Sequence, residues 1–234
     1  MSSKKQVRKM NAMKIRLDDL PEIEPITKNQ EKAFSLFEEG NNLMLSGSAG
    51  TGKTFMALYL ALEEVLEKET EYDNIVLIRS AVATREQGFQ PGTKEEKENV
   101  FTLPYRAICS ELFGVADAWN KLKQTGTIQF ETTSYIRGTT FNNAIVIIDE
   151  MQNLNFHELD SVVTRVGRNC RLIACGDYYQ TDFDKEKEKN GILQFMNIVD
   201  HMKDFEIVEF GWADIVRSGF VRDYIMTKEM LGIK

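Results

Sequence analysis

Residues 42–54 read Asn42-Leu43-Met44-Leu45-Ser46-Gly47-Ser48-Ala49-Gly50-Thr51-Gly52-Lys53-Thr54. The first five are a short, mostly apolar run of strand length. The eight from Gly47 form a complete G-x-x-x-x-G-K-T loop. Residues 55–66, Phe55-Met56-Ala57-Leu58-Tyr59-Leu60-Ala61-Leu62-Glu63-Glu64-Val65-Leu66, continue as a helix pattern with few breakers. Glycines let the backbone curl tightly and point its N–H groups inward. The helix that starts at the loop turns its unpaired N–H groups and positive dipole end toward the same point. That point suits a phosphate chain. Lys53 supplies a mobile positive charge for the β- and γ-phosphates, and Thr54 offers a hydroxyl to Mg²⁺. The expected nucleotide-binding residues are therefore Gly47, Ser48, Ala49, Gly50, Thr51, Gly52, Lys53 and Thr54. A Gly/Ser loop with a stray Lys-Thr pair would not need the strand before it and the helix after it.

Ala144-Ile145-Val146-Ile147-Ile148-Asp149-Glu150 carries the second signal. Four β-branched residues in succession drive a buried strand, and two acids stand at its carboxyl end, where open α/β sheets bind ligands. Asp149 is placed to hold Mg²⁺ opposite Thr54. Glu150 can orient or deprotonate an attacking water. An apolar run ending in acids is common, so the pairing with the phosphate loop gives it weight. Together they predict hydrolysis rather than passive binding.

A third signal is Gly176-Asp177-Tyr178-Tyr179-Gln180 after a predicted strand over 170–175. Gln180 is an uncharged donor and acceptor suited to sensing the γ-phosphate or its water, and Asp177 can hold the loop. An ordinary Gly-Asp turn is the competing reading. Charge on a transferring phosphoryl group also invites an arginine. Arg79, Arg137, Arg165 and Arg217 are the candidates. Arg79 ends a core strand, and Arg217 could serve its own site or a neighbour's.

The chain has 234 residues, 42% hydrophobic, with a net charge of −7. That accommodates one large α/β domain over 21–234, preceded by a flexible basic segment over 1–20. Six basic residues fall in its first sixteen, either as a solvated tail or as an arm that touches nucleic acid. No apolar stretch approaches the length of a membrane span, and no signal-peptide core is present. The three cysteines and two histidines form no metal-ligand spacing. Cys170 and Cys175 read as buried small hydrophobes in a reducing cytoplasm.

Further strands are predicted over 74–80, 127–131 and 205–210. Helices are predicted from Thr27 to Gly40, and over 104–113, 117–123, 158–166, 191–199 and 212–226. Thr27 with Gln30 has capping-box spacing. Gly88, Pro91 and Gly92, with the charged run 94–98, predict a surface excursion around 84–100. Strands alternating with helices indicate a mostly parallel sheet covered on both faces.

An ordered set of motifs resembles the PhoH-like family of P-loop ATPases, which is related to superfamily 1 helicases. The set comprises Leu77-Ile78-Arg79-Ser80-Ala81-Val82, Gly88-Phe89-Gln90-Pro91-Gly92, Pro104-Tyr105, residues 135–144, Ile148-Asp149-Glu150-Met151-Gln152-Asn153, Thr164-Arg165-Val166-Gly167, the 176–180 segment and Asp214-Ile215-Val216-Arg217. The resemblance covers about Pro25 to Arg222. It implies a RecA-like core with ATP and Mg²⁺ at Gly47 to Thr54. It matches Gln30 to a helicase-type adenine-reading glutamine, whose amide has the paired donor and acceptor an adenine edge needs. It also implies a homo-oligomer, including ring assemblies, and RNA or single-stranded DNA as partners. Ser80 stands where relatives often have proline, and Met151 where many have alanine. The short form resembles versions encoded by bacteriophages, which would place it in a host cytoplasm. Tyr135, Tyr178 and Tyr179 could stack bases or pack half-buried in loops.

The expected activity is Mg²⁺-dependent ATP hydrolysis by Lys53, Glu150, Gln180, Arg217 and Arg79. A nucleotide-gated binding module with little hydrolysis is the first alternative. A nucleotide or small-molecule kinase is the second, disfavoured because Glu150 and Gln180 suit water as the acceptor.

Overall fold

In a computed structural model of the chain, residues 14–80, 94–136, 138–177 and 186–233 are described. Six strands form one sheet: β1 (Asn42–Gly47), β2 (Asn74–Arg79), β3 (Ile128–Thr132), β4 (Ala144–Ile148), β5 (Cys170–Gly176) and β6 (Phe205–Phe210). Their order is β3-β2-β4-β5-β1-β6, and every neighbouring pair is parallel. The helices are α1 (Lys28–Glu38), α2 (Lys53–Leu66), α3 (Lys94–Phe113), α4 (Ala118–Gln124), α5 (Phe156–Val163), α6 (Glu186–Asp200) and α7 (Gly219–Met230).

The central strands β2 and β4 are apolar at successive positions because both faces of the sheet are covered there, whereas the edge strands β3 and β6 interleave polar residues. The two-residue strand period then sorts the side chains. Leu43, Leu45, Ile75, Leu77, Ile145, Ile147 and Ile173 enter one core with α1 to α4. Met44, Val76, Ile78, Val146, Ile148, Leu172 and Ala174 enter the other, with Leu159 of α5 and Phe195 of α6. Helix α2 has eight buried residues because it crosses the middle of the first face. Ile15 also reaches that core, and Leu17–Asp19 form a short 3₁₀ turn ahead of Pro21.

The strand order fixes the ligand position. The chain leaves β1 through α2 toward β2 on one side, and leaves β5 through α6 toward β6 on the other. Adjacent strands whose connections diverge define the topological switch point, so the crevice opens above the ends of β1 and β5.

Several boundaries differ from expectation. Helix α3 begins at Lys94, ten residues before Pro104, and carries that proline inside it. The charged run is made of strong helix formers, which extend the helix through Pro104 although its ring removes one ladder hydrogen bond and crowds the carbonyl four residues earlier. The helix expected over 158–166 starts at Phe156, because Asn155 and Glu158 form a reciprocal capping box. Thr27 does cap α1 by accepting from the Gln30 N–H, but the Gln30 side chain accepts from Ile26 instead of closing a box on Thr27. The terminal segment is a 3₁₀ turn at Trp212–Asp214 followed by α7, which buries none of its residues.

Cys109 and Cys175 are buried and Cys170 is half-buried; all three are free thiols. Burial pushes the Cys109 thiol up to about 12, and pushes Cys175 up as well, with Asp149 adding to the effect. Only thiolate reacts quickly. An aromatic disulfide reagent should therefore titrate Cys170 alone in the native protein and all three cysteines after unfolding. A second fast native thiol would contradict this packing.

Candidate active site

The glycine loop is braced from behind by β6. The Ser48 N–H donates to the Phe210 carbonyl at 3.0 Å. Gly47 has φ +127°, and a Cβ there would stand 2.0 Å from the Phe210 oxygen, so only glycine fits. Gly52 adopts the left-handed conformation at φ +84° and is the N-cap of α2. Its position starts α2 with free N–H groups facing the loop. Lys53 folds back across the loop. Its Nζ donates to the carbonyls of Gly47 and Ser48, each at 2.7 Å, and to Thr51 Oγ1 at 3.3 Å. Burial lowers the Lys53 ammonium below its usual range, while Asp177, Cys175, Glu150 and Asp149 pull it upward.

Thr54 and Asp149 lie 95 positions apart in sequence, yet Thr54 Oγ1 donates to Asp149 Oδ1 at 2.8 Å. The contact crosses an intervening strand, since β5 lies between β1 and β4. Helix α2 makes it possible by carrying Thr54 over the end of β5. The other carboxylate oxygen, Oδ2, accepts from the buried Tyr105 hydroxyl at 2.7 Å. Glu150 sits next in a left-handed conformation at φ 53°, which turns it out of the strand direction. Burial first, and Asp149 second, raise its carboxyl above the usual range, opposed by Arg79, Gln152 and Lys53.

Gln152 has no role legible in the sequence, yet it links two strand ends. Its Nε2 donates to Glu150 Oε2, and its Oε1 accepts from the Asp177 N–H at 3.1 Å. A Cβ at Gly176 would fall 2.5 Å from Gln152 Oε1 and 2.5 Å from Met151 Cγ, so the glycine lets this bridge pass. Met151 is fully buried there. Gln180, Tyr178 and Tyr179 lie outside the described residues; the strand preceding them ends between the loop strand and the Asp149 strand.

The arginine candidates separate. Arg165 donates to the carbonyls of Ile136 and Ser161, both at 2.7 Å, and so fastens a loop to α5 away from the loop glycines. Arg137 lies outside the described residues. Arg79 faces Tyr105, Glu150 and Asp149. Burial alone would lower its guanidinium, but these three neighbours hold it above its usual range. Arg217 reaches the glycine loop of its own chain. The Val216 N–H donates to the Gly50 carbonyl at 3.0 Å, and a Cβ on Gly50 would meet Arg217 Cγ at 2.8 Å. This segment is anchored by Asp214, which accepts from Asn29 Nδ2 at 2.8 Å and the Gly211 N–H at 2.9 Å. Burial would raise Asp214, but the bonds from Asn29, Thr27 and Gly211 hold it below its ordinary value. Asn29 and Asp214 are 185 positions apart, and the pair has no local sequence signal.

A cleft of about 750 Å³ joins Gln30, Lys53, Thr54, Arg79, Glu150 and Arg217. Gln30 is buried in its wall. Its amide is already engaged at both ends, donating to the Thr51 carbonyl at 3.2 Å and accepting from the Ile26 N–H at 2.9 Å. Tyr135 is 59% exposed rather than half-buried, beyond the end of β3. Among the described residues, no group of three or more acidic, histidine or cysteine side chains could enclose a metal. The hydroxyl and carboxylate oxygens of Thr54 and Asp149 suit a hard cation whose shell is completed by phosphates and water. Among the described residues, no helix is long and apolar enough to cross a membrane.

A parallel sheet that places a G-x-x-x-x-G-K-T loop at its switch point, within hydrogen-bonding reach of a strand-end acid pair, defines the class of P-loop NTPases. A family model described as PhoH-like protein matches residues 22–228. The chain belongs to this PhoH-like family of P-loop NTPases, related to superfamily 1 helicases. A PhoH-like protein of Synechocystis is 36% identical over 207 residues, covering 87% of this chain and 61% of the relative. A PhoH-like protein of Mycobacterium leprae is 29% identical over 206 residues, covering 87% of this chain and 57% of the relative. The chain thus spans roughly three-fifths of the length of these curated relatives. In fold, the large terminase of a thermophilic bacteriophage matches with a TM-score of 0.49 at 13% identity, over 88% of this chain and 50% of the terminase.

Proposed function

We propose that the chain is a Mg²⁺-dependent ATPase that cleaves the β–γ phosphoanhydride of ATP with water. The observation that carries this reading is the 2.8 Å contact between Thr54 and Asp149, which joins the phosphate loop to the acid pair. The loop amides and Lys53 would hold the phosphates. Thr54 and Asp149 would hold Mg²⁺, which neutralises phosphate charge when bound. Glu150, turned out of its strand and held by Gln152, would take a proton from the water. Gln180 would orient that water. Arg79 stands beside the acids, and Arg217 stands over the loop, where a developing charge would meet it. Adenine would be read at Gln30 by trading one of its two backbone bonds for the base edge.

Phosphate release with ATP and Mg²⁺ tests the reading, run with and without RNA or single-stranded DNA and across protein concentration. Intact nucleotide binding with no release under any condition would leave a binding module instead. Stimulation by a single strand would assign a nucleic-acid partner, to which the exposed Tyr135 ring offers a stacking surface. A rise in specific activity with concentration would assign an oligomer.

Arg217→Ala should lower kcat about a hundredfold while changing ATP affinity by less than about threefold. Because Arg217 touches its own loop, that loss should be the same in dilute and concentrated protein. Recovery of the variant's turnover on mixing with a Lys53→Ala chain would show that the arginine acts on a neighbour.

A further inference from the structure

Both oxygens of Asp149 have side-chain donors, and the loop accounts for only one of them. The second donor comes from Tyr105, whose ring has no exposed surface. The ring is held between aromatic neighbours on two other elements. Trp119 of α4 lies 6.1 Å away at 25°, and Phe130 of β3 lies 6.0 Å away at 40°. Such packing leaves the hydroxyl little freedom. A buried tyrosine hydroxyl requires a partner, and this one donates to Asp149 Oδ2 at 2.7 Å.

We infer that Tyr105 is a positioning residue for the magnesium-side carboxylate. The inference rests on the Mg²⁺-nucleotide reading given above. Its physical content is an outer hydrogen bond that fixes the rotamer of a metal-side oxygen donor. Thr54 alone, hinged at one oxygen, would leave the carboxylate free to rotate about its bond to Cβ. The Tyr105 hydroxyl closes that freedom and thereby ties α3 to the end of β4.

The test is the Tyr105→Phe variant, which keeps the ring and deletes the hydroxyl. A fluorescent, non-hydrolysable ATP analogue is titrated in EDTA and in rising Mg²⁺, alongside thermal melting. The expected result is unchanged affinity in EDTA, a melting temperature within a few degrees of the parent, and an about tenfold higher Mg²⁺ requirement for tight binding. A merely structural tyrosine would shift melting and metal-free binding together and leave the Mg²⁺ requirement where it was, which would overturn the inference. If the parent protein binds the analogue equally in EDTA and Mg²⁺, the magnesium reading itself falls and takes this inference with it. A parent that responds to Mg²⁺ beside an unaltered Tyr105→Phe response removes the inference alone.

Discussion

Lys53→Ala should reduce ATP turnover by at least about a thousandfold, the scale expected when a preorganised charge on the transferring phosphoryl group is removed. Its Nζ lies over the loop on the carbonyls of Gly47 and Ser48, so it is already positioned inside the phosphate cradle. The same substitution should not lower the melting temperature of the nucleotide-free protein. Burial holds the Lys53 pKa below its ordinary value, which means that the folded state disfavours its charged form. The sign follows directly: near neutral pH the ammonium costs folding free energy, and alanine removes that cost. The rise in melting temperature that Mg²⁺-ATP produces in the parent should disappear, since ligand stabilisation scales with binding. Phosphate release and thermal melting with and without nucleotide check both halves. Undiminished turnover would end the hydrolase reading.

Glu150→Gln should cost about a hundredfold to ten-thousandfold in kcat, the usual range for losing a general base. ATP affinity should stay within about threefold of the parent, because the substitution leaves the loop, Lys53 and Asp149 in place. The replacement amide keeps an oxygen for the Gln152 donor, so the bridge to Asp177 can survive. What is lost is the proton acceptor. Burial and the adjacent Asp149 raise the Glu150 carboxyl, which makes it a stronger base than an exposed glutamate. Single-turnover measurements should show bound ATP persisting on the variant. An unchanged kcat would move the base elsewhere, and an equal loss of affinity would make Glu150 a binding residue.

Most of the sheet was legible from short patterns. The buried run Ala144–Ile148 matches its apolar stretch, because a parallel strand covered on both faces needs nearly unbroken hydrophobicity, and the edge strand Phe205–Phe210 matches its mixed run of apolar residues and glutamates. The start of α3 was not legible. Proline reads as a helix boundary, whereas here the helix passes through Pro104 and includes the charged residues before it. The N-terminal stretch read as loose up to residue 20, yet Ile15 finds a place in the core, a fact of packing that no local pattern records.

The site divides in the same way. Gly47 to Thr54 and Asp149-Glu150 are local signals, since the loop and the strand end each need particular residues at particular spacing. Gln152, Tyr105 and the Asn29–Asp214 pair are not, because each acts on a partner that the chain reaches only through the sheet order. Arg165 read as a candidate for the phosphoryl charge and is instead a loop fastener, engaged by two carbonyls.

The sequence by itself determined that this chain carries a phosphate loop, an acid pair and a parallel sheet, because those follow from backbone conformation and strand burial over fewer than ten residues at a time. Only the tertiary structure decided which arginine lies over the loop and which side chains hold Asp149. Those choices depend on β5 lying between β1 and β4, and on an aromatic cluster from α3, α4 and β3 closing beside the carboxylate. Contacts between residues 44 to 185 positions apart are set by packing, for which a local sequence window has no period to read.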